Sequence, residues 1–88
     1  MMILTLSVEN TNLVLGVFQG EKLLFVSRMA TDRSKTGDEY AIAFRSILEL
    51  HGLKTQDIRG GIISSVVPAL INKIQEALRL TLGREPLV

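Results

Sequence analysis

The six positions Ser7-Val8-Glu9-Asn10-Thr11-Asn12 bring five chemistry-bearing side chains into one short polar stretch. They join the apolar run Met2–Val8 to a second, Leu13–Phe18, so the polar stretch reads as the turn of a hairpin. A compact polar turn can aim backbone N–H groups and the side chains of Asn10, Thr11 and Asn12 at an anionic ligand, phosphate being the common case. The plain alternative is conformational. Asparagine is favoured in hairpin turns because it tolerates left-handed backbone angles, and most such turns bind nothing.

Other candidates are more dispersed. Asp32, Asp38, Glu39 and Asp57 could each act as a general base, but Asp38 and Glu39 already have a local role. In Thr36-Gly37-Asp38-Glu39 the spacing is that of a capping box, with Thr36 accepting from the third helical N–H while Glu39 reaches back. Arg28, Arg33 and Lys35 could guide an anionic substrate, although three basic residues around a loop are more often a solvated face. Ser64 and Ser65 precede an expected helix start, which suits an anion; N-capping by one of them is the alternative. His51 stands beside Gly52 at an expected helix end, where a partly charged imidazole suits the dipole. One histidine and no cysteine exclude a disulfide and a thiolate metal site, and Met1, Met2 and Met29 add no metal signal.

The elements that must position these residues follow from hydrophobic spacing. Met2–Val8, Leu13–Phe18 and Leu23–Met29 read as three strands joined by short turns, the second being Gln19-Gly20-Glu21-Lys22, and hence as an antiparallel meander. Tyr40, Phe44, Ile47, Leu48 and His51 recur at helical spacing until Gly52. Ile58 to Val67 is nearly continuous in apolar character, which predicts a strand covered on both faces. Pro68 suits the first turn of a second helix, with Val67, Ile71, Ile74, Leu78 and Leu82 as its buried stripe and Gly83 as its stop. Pro86-Leu87-Val88 reads as the start of another strand. The order strand, strand, strand, helix, strand, helix is that of a mixed-sheet α/β, ribonuclease-H-like fold, apparently incomplete, because such a sheet needs helices on both faces.

Composition narrows the function classes. The chain has 88 residues, one small domain or part of one, and a hydrophobic content of 47% is too high for a disordered segment. Ten basic and nine acidic residues are interspersed, with no basic stripe, and Phe18, Phe25, Tyr40 and Phe44 are the only aromatics, so no nucleic-acid partner is expected. The first apolar run lacks a charged leader and the length to span a bilayer, so no membrane partner is expected and the chain reads as cytoplasmic.

Three stretches together go further: Asn10-Thr11-Asn12 after the first strand, Thr31-Asp32-Arg33 followed by Thr36-Gly37-Asp38-Glu39-Tyr40, and Ser64-Ser65-Val66-Val67-Pro68 closing the fourth. In this order they resemble the N-terminal part of the type III pantothenate kinases, over essentially the whole chain. That family belongs to the superfamily of acetate and sugar kinases, heat-shock chaperones and actin, built from two ribonuclease-H-like (actin-like ATPase) domains with ATP between them. The resemblance implies a phosphotransferase that moves the γ-phosphoryl of ATP to pantothenate in coenzyme A synthesis, using Mg2+ and a monovalent cation such as K+, in a homodimer. It makes residues 1–88 the N-terminal part of one such domain, with the second domain absent. It carries over Asn10, Thr11 and Asn12, flanked by Ser7 and Glu9, as the ATP-binding loop. The catalytic aspartate, the pantothenate loop and the K+ ligand of the family fall beyond Val88, so no catalytic or metal-binding residue is assigned.

Two positions depart from the family pattern, which has Asp at Ser7 and Gly at Glu9. The serine hydroxyl lacks the charge a hard cation prefers. Glu9 adds a carboxylate; about 4 Å from a phosphate charge, repulsion would reach roughly 4 kcal/mol at an effective dielectric near 20. That is about a thousandfold in affinity, as an upper bound. Two other readings follow: a non-catalytic regulatory or accessory protein of the same family, and a truncated half-domain that needs a partner.

Overall fold

The computed structural model describes residues 1–87. Strands β1 (Met2–Val8), β2 (Asn12–Gln19) and β3 (Lys22–Ala30) form the expected antiparallel meander. Helix α1 (Gly37–Leu50), strand β4 (Ile58–Ser65) and helix α2 (Ile71–Leu82) follow, with 3-10 turns at Thr55–Asp57 and Pro68–Leu70. β4 pairs parallel to β1, so the sheet order is β3-β2-β1-β4. Leu87 then bridges to Ile62 in parallel, its N–H donating to Gly61 O at 2.8 Å while Ile63 N–H donates to Leu87 O at 2.7 Å. Of the expected fifth strand, the described residues show this single bridge at Leu87; its last expected residue, Val88, lies outside them.

The direction of the strands dictates where the helices go. β1, β3 and β4 all run the same way, so β3-α1-β4 and β4-α2-Leu87 are successive crossovers moving toward one edge of the sheet. Right-handed crossovers that advance in one direction place their helices on one face. The core agrees. Leu4, Leu6 and Val8 of β1 and Leu13, Leu15 and Val17 of β2 are buried in one cluster with Tyr40, Phe44 and Leu48 of α1 and Ile74, Ala77 and Leu78 of α2.

The opposite face has no helix among the described residues. It carries the rows Ile3–Phe18–Leu23, Thr5–Gly16–Val26 and Ser7–Val14–Arg28, extended by Gly60, Ile62 and Ser65 of β4. Val26 is 48% exposed and Ile62 38%. This corrects the reading of β4 as covered on both faces: Gly61 and Ile63 are buried while Ile62 is exposed. Among the described residues no element covers that second face, so the cover that its continuous apolar run predicts is not supplied by this stretch.

Local signals behave as their chemistry demands. Thr36 Oγ1 accepts from Glu39 N–H at 3.2 Å and Glu39 Oε1 accepts from Thr36 N–H at 2.9 Å, completing the capping box, which stabilises a helix by about 1 kcal/mol. Gly83 ends α2 at φ 73°, a left-handed angle that favours glycine. Beyond it the Arg79–Glu85 ion pair and a bond from Arg84 Nη1 to Arg59 O, 2.7 Å, bring the chain back to the edge of β4.

Candidate phosphate-binding cleft

Because β1, β3 and β4 point the same way, the three segments that follow them gather at one end of the sheet. Those segments are 9–11, 31–36 and 66–67. The carboxyl ends of parallel strands are where open α/β sheets bind ligands. A cleft of about 380 Å3 opens there, lined by Val8, Glu9, Asn10, Thr11, Ser65, Val66 and Val67. Asn10 and Thr11 of the expected loop are thus joined by the end of β4. Ser7 and Asn12 flank this lining: Ser7 is half-buried on the open face of the sheet, in register with Val14 and Ser65, and Asn12 opens β2.

The turn is tighter than a free hairpin. Glu9 N–H donates to Asn12 O at 2.9 Å, Thr31 N–H to Thr11 O at 3.0 Å and Thr31 Oγ1 to Glu9 O at 2.8 Å. Arg33 Nη2 donates to Asn10 Oδ1 at 3.0 Å, and Asn12 Nδ2 reaches Thr11 Oγ1 at 3.4 Å. Among the described residues no non-glycine residue has a positive φ. The conformational explanation for asparagine at positions 10 and 12 therefore fails, since neither residue adopts the left-handed angle. Their side chains act through their amides instead.

The serines are placed differently from the N-capping expectation. The register slips between Leu6–Ile63 and Ser7–Ser65, so Ser64 is the extra residue of a bulge, and its Oγ donates to Leu6 O at 3.1 Å. Ser65 is delivered to the cleft. Pro68–Leu70 forms a 3-10 turn before α2, and neither that turn nor α2 has a side-chain cap. Val67 and Leu70 stand at the two N-cap positions, so neither serine is placed to cap. Bulges of this kind re-aim side chains beside sites.

The remaining candidates fall into structural roles. Asp32 Oδ1 accepts from the Ser34 hydroxyl at 2.6 Å and from Ser34 N–H at 2.9 Å, which hold the Asp32 carboxyl below its ordinary range. Asp57 Oδ2 accepts from Lys54 N–H at 3.3 Å, closing a 3-10 turn. His51 caps the end of α1 and its ring stacks on Phe25, centroids 3.9 Å apart. What sequence reasoning missed is the bracing of the turn by residues 31–33, since basic residues around a loop, Arg33 among them, are more often a solvated face. Thr31-Asp32-Arg33 stood among the family stretches, but spacing alone gives no sign of a contact across 23 positions.

The sequence profile described as type III pantothenate kinase matches residues 3–88. The chain belongs to that family. It is 44% identical over 86 residues to the type III pantothenate kinase of Finegoldia magna, covering 98% of this chain and 33% of the relative. Against those of Halalkalibacterium halodurans and Moorella thermoacetica the identities are 45% and 42% over 87 residues, with 99% of this chain and 34% of each relative covered. The chain thus spans about a third of the length of the curated relatives it matches. Among solved structures it is similar to the ROK hexokinase of Thermus thermophilus, with TM-score 0.67 and 21% identity over 99% of this chain and 32% of that one. That likeness carries the fold: part of an actin-like, ribonuclease-H-like α/β domain.

Proposed function

We propose that residues 1–88 form the N-terminal part of a ribonuclease-H-like kinase domain and supply the first phosphate loop of a pantothenate kinase. The second domain lies outside this stretch. In this reading Asn10 and Thr11, with Asn12, Ser7 and Glu9 beside them, hold the phosphates of ATP while its γ-phosphoryl passes to the terminal hydroxyl of pantothenate. The observation that carries it is the position of Asn10 and Thr11, in a cleft at the carboxyl ends of β1 and β4, within a chain of this family. Phosphoryl transfer depends on positioning and charge neutralisation, and this stretch contributes to the positioning.

The donor set bears on the metal. Among the described residues no three acidic, His or Cys side chains cluster as a metal site, and the cleft offers one carboxylate, Glu9. That fits Mg2+ carried in by the nucleotide, which is commonly held by one or two carboxylates together with substrate phosphates. The ion would neutralise phosphate charge, while Glu9 stands at the cleft as a carboxylate of the same sign as the phosphates. A K+ site and homodimer contacts belong to this reading as properties of the family, with no residue of this stretch assigned to them. No described helix is long and apolar enough to cross a membrane.

Calorimetric titration of the folded chain with Mg·ATP tests the loop. Saturable binding supports it. Phosphorylation of pantothenate is expected to be slight or absent for these 88 residues alone, and a rate like that of a full-length kinase would overturn the division of labour proposed here.

The uncovered sheet face favours a second reading, a half-domain completed by a partner. A row of apolar side chains on an open sheet face favours association. A monomer whose cooperative thermal transition is unchanged on dilution would count against it. The substitutions at Ser7 and Glu9 favour a third, a regulatory member of the family without catalysis. Folded protein that recovers no Mg·ATP binding after Ser7→Asp with Glu9→Gly would point away from a merely decayed loop.

A further inference from the structure

Arginine has five N–H donors and no acceptor. The atom of Asn10 that faces Arg33 at 3.0 Å must therefore be the amide oxygen, although the oxygen and nitrogen of an amide are otherwise assigned only from their surroundings. The NH2 group becomes the other prong, and among the described residues Nδ2 of Asn10 has no hydrogen-bond acceptor. An asparagine free to turn would present its oxygen to the cleft part of the time. Toward an anion that orientation is repulsive.

Arg33 is itself held. Tyr40, fully buried, donates its hydroxyl to Asp32 O at 2.7 Å and accepts Asp32 N–H at 2.9 Å. Lys73 of α2 donates from Nζ to Arg33 O at 2.7 Å. Thr31, two residues before, is bonded to Glu9 O and Thr11 O. The guanidinium thus stands on a segment anchored to both helices and to the loop it addresses.

We propose that Arg33 is a positioning residue for the phosphate loop: it holds the Asn10 amide by its oxygen, so that the two Nδ2 hydrogens are offered to phosphate oxygens in the cleft. This rests on the phosphate reading of the loop given above. The guanidinium acts through Asn10 rather than by touching the ligand.

The test pairs a ligand-free readout with a binding cycle. In the 15N-labelled chain the Asn10 side-chain amide resonances should move and sharpen in Arg33→Ala, with backbone signals of the core and the thermal midpoint unchanged. Mg·ATP titrations of wild type, Arg33→Ala, Asn10→Ala and the double variant should show each single change weakening binding about tenfold, the size of one hydrogen bond to a charged group. The double variant should be no worse than Asn10→Ala alone. Losses that multiply would overturn the proposal, because Arg33 would then contact the nucleotide independently. An Asn10 amide indifferent to Arg33→Ala in folded protein would overturn it as well. If the wild-type chain binds no nucleotide while the amide still responds, the phosphate reading falls and with it the purpose assigned to Arg33.

Discussion

Glu9 is fixed at its backbone and loose at its side chain. Its N–H and C=O are both bonded, yet among the described residues its carboxylate has no hydrogen-bond or ion-pair partner, and the residue is exposed. The carboxylate can therefore swing toward solvent, which keeps the cost to a bound phosphate well below the upper bound of roughly 4 kcal/mol. Replacing it with Gly, together with Ser7→Asp, should tighten Mg·ATP binding in calorimetry, by well under about a thousandfold. Because φ at Glu9 is not positive, glycine is not required by the backbone there, and its extra freedom should lower stability by less than about 1 kcal/mol. No gain in affinity from the double change would remove charge at these positions as the obstacle. Asp32 offers a test by pH. Its folded pKa is lowered chiefly by the Ser34 hydroxyl bond. Its contribution to stability is therefore complete above the unfolded aspartate value and is lost as pH falls through the lower folded value. A carboxyl-detected titration should place its midpoint below 3.8, and Ser34→Ala should raise it. At this scale the sequence was half legible. The side chains of the turn announced themselves by type, but the partner of Asn10 could not, since nothing local links position 10 to position 33.

Elements announced by residues of special backbone chemistry were legible: the capping box at Thr36, the stop at Gly83 and the turn at Gly20, whose φ is 61°. Where the outcome depended on neighbours the reading failed, as for the outer face of β4 and the serines displaced by its bulge. The two adjacent glycines of β4 test that distinction. A Cβ on Gly61 would lie 3.0 Å from Leu82 Cδ1 and 3.5 Å from Leu78 Cδ1, on the face where α2 sits against the strand. A Cβ on Gly60 would meet only Ile3 Cδ1 at 3.6 Å, an ordinary contact on the open face. Gly61→Ala should then cost about 1 kcal/mol, the low end for overpacking because flexible side-chain tips can shift. In thermal melts that is a fall of about 4–8 °C for a domain this small. Gly60→Ala should stay within about 0.5 kcal/mol of wild type. Equal losses at both would mean that the helix face and the open face are packed alike.

For the whole molecule, one rule accounts for both the site and the bare face. Crossovers that keep advancing in one direction stack their helices on one side and bring the loops after β1, β3 and β4 to one end. That much was implied by the order of elements, which is why the ribonuclease-H-like fold could be inferred from sequence. Which face carries no helix among the described residues was not, because periodicity within a strand cannot say how many helices this stretch supplies. The strand order has a further consequence, in time rather than in space. β1 is the first strand in the chain, yet it lies inside the sheet, between its immediate successor β2 and the distant β4. Contacts within Met2–Ala30 close short loops, whereas the β1–β4 ladder joins residues such as Leu6 and Ile63 across most of the chain. Loop-closure entropy favours the meander as the folding nucleus, with β4 adding to its exposed edge afterwards. Conservative truncations should separate the two stages in stopped-flow refolding. Leu15→Val in the meander should mainly slow folding, and Ile63→Val in β4 should mainly speed unfolding. The reverse pattern would mean that the long-range ladder forms first. On a ribosome, β1 would emerge well before β4 and wait for residues in the sixties before its second edge was paired.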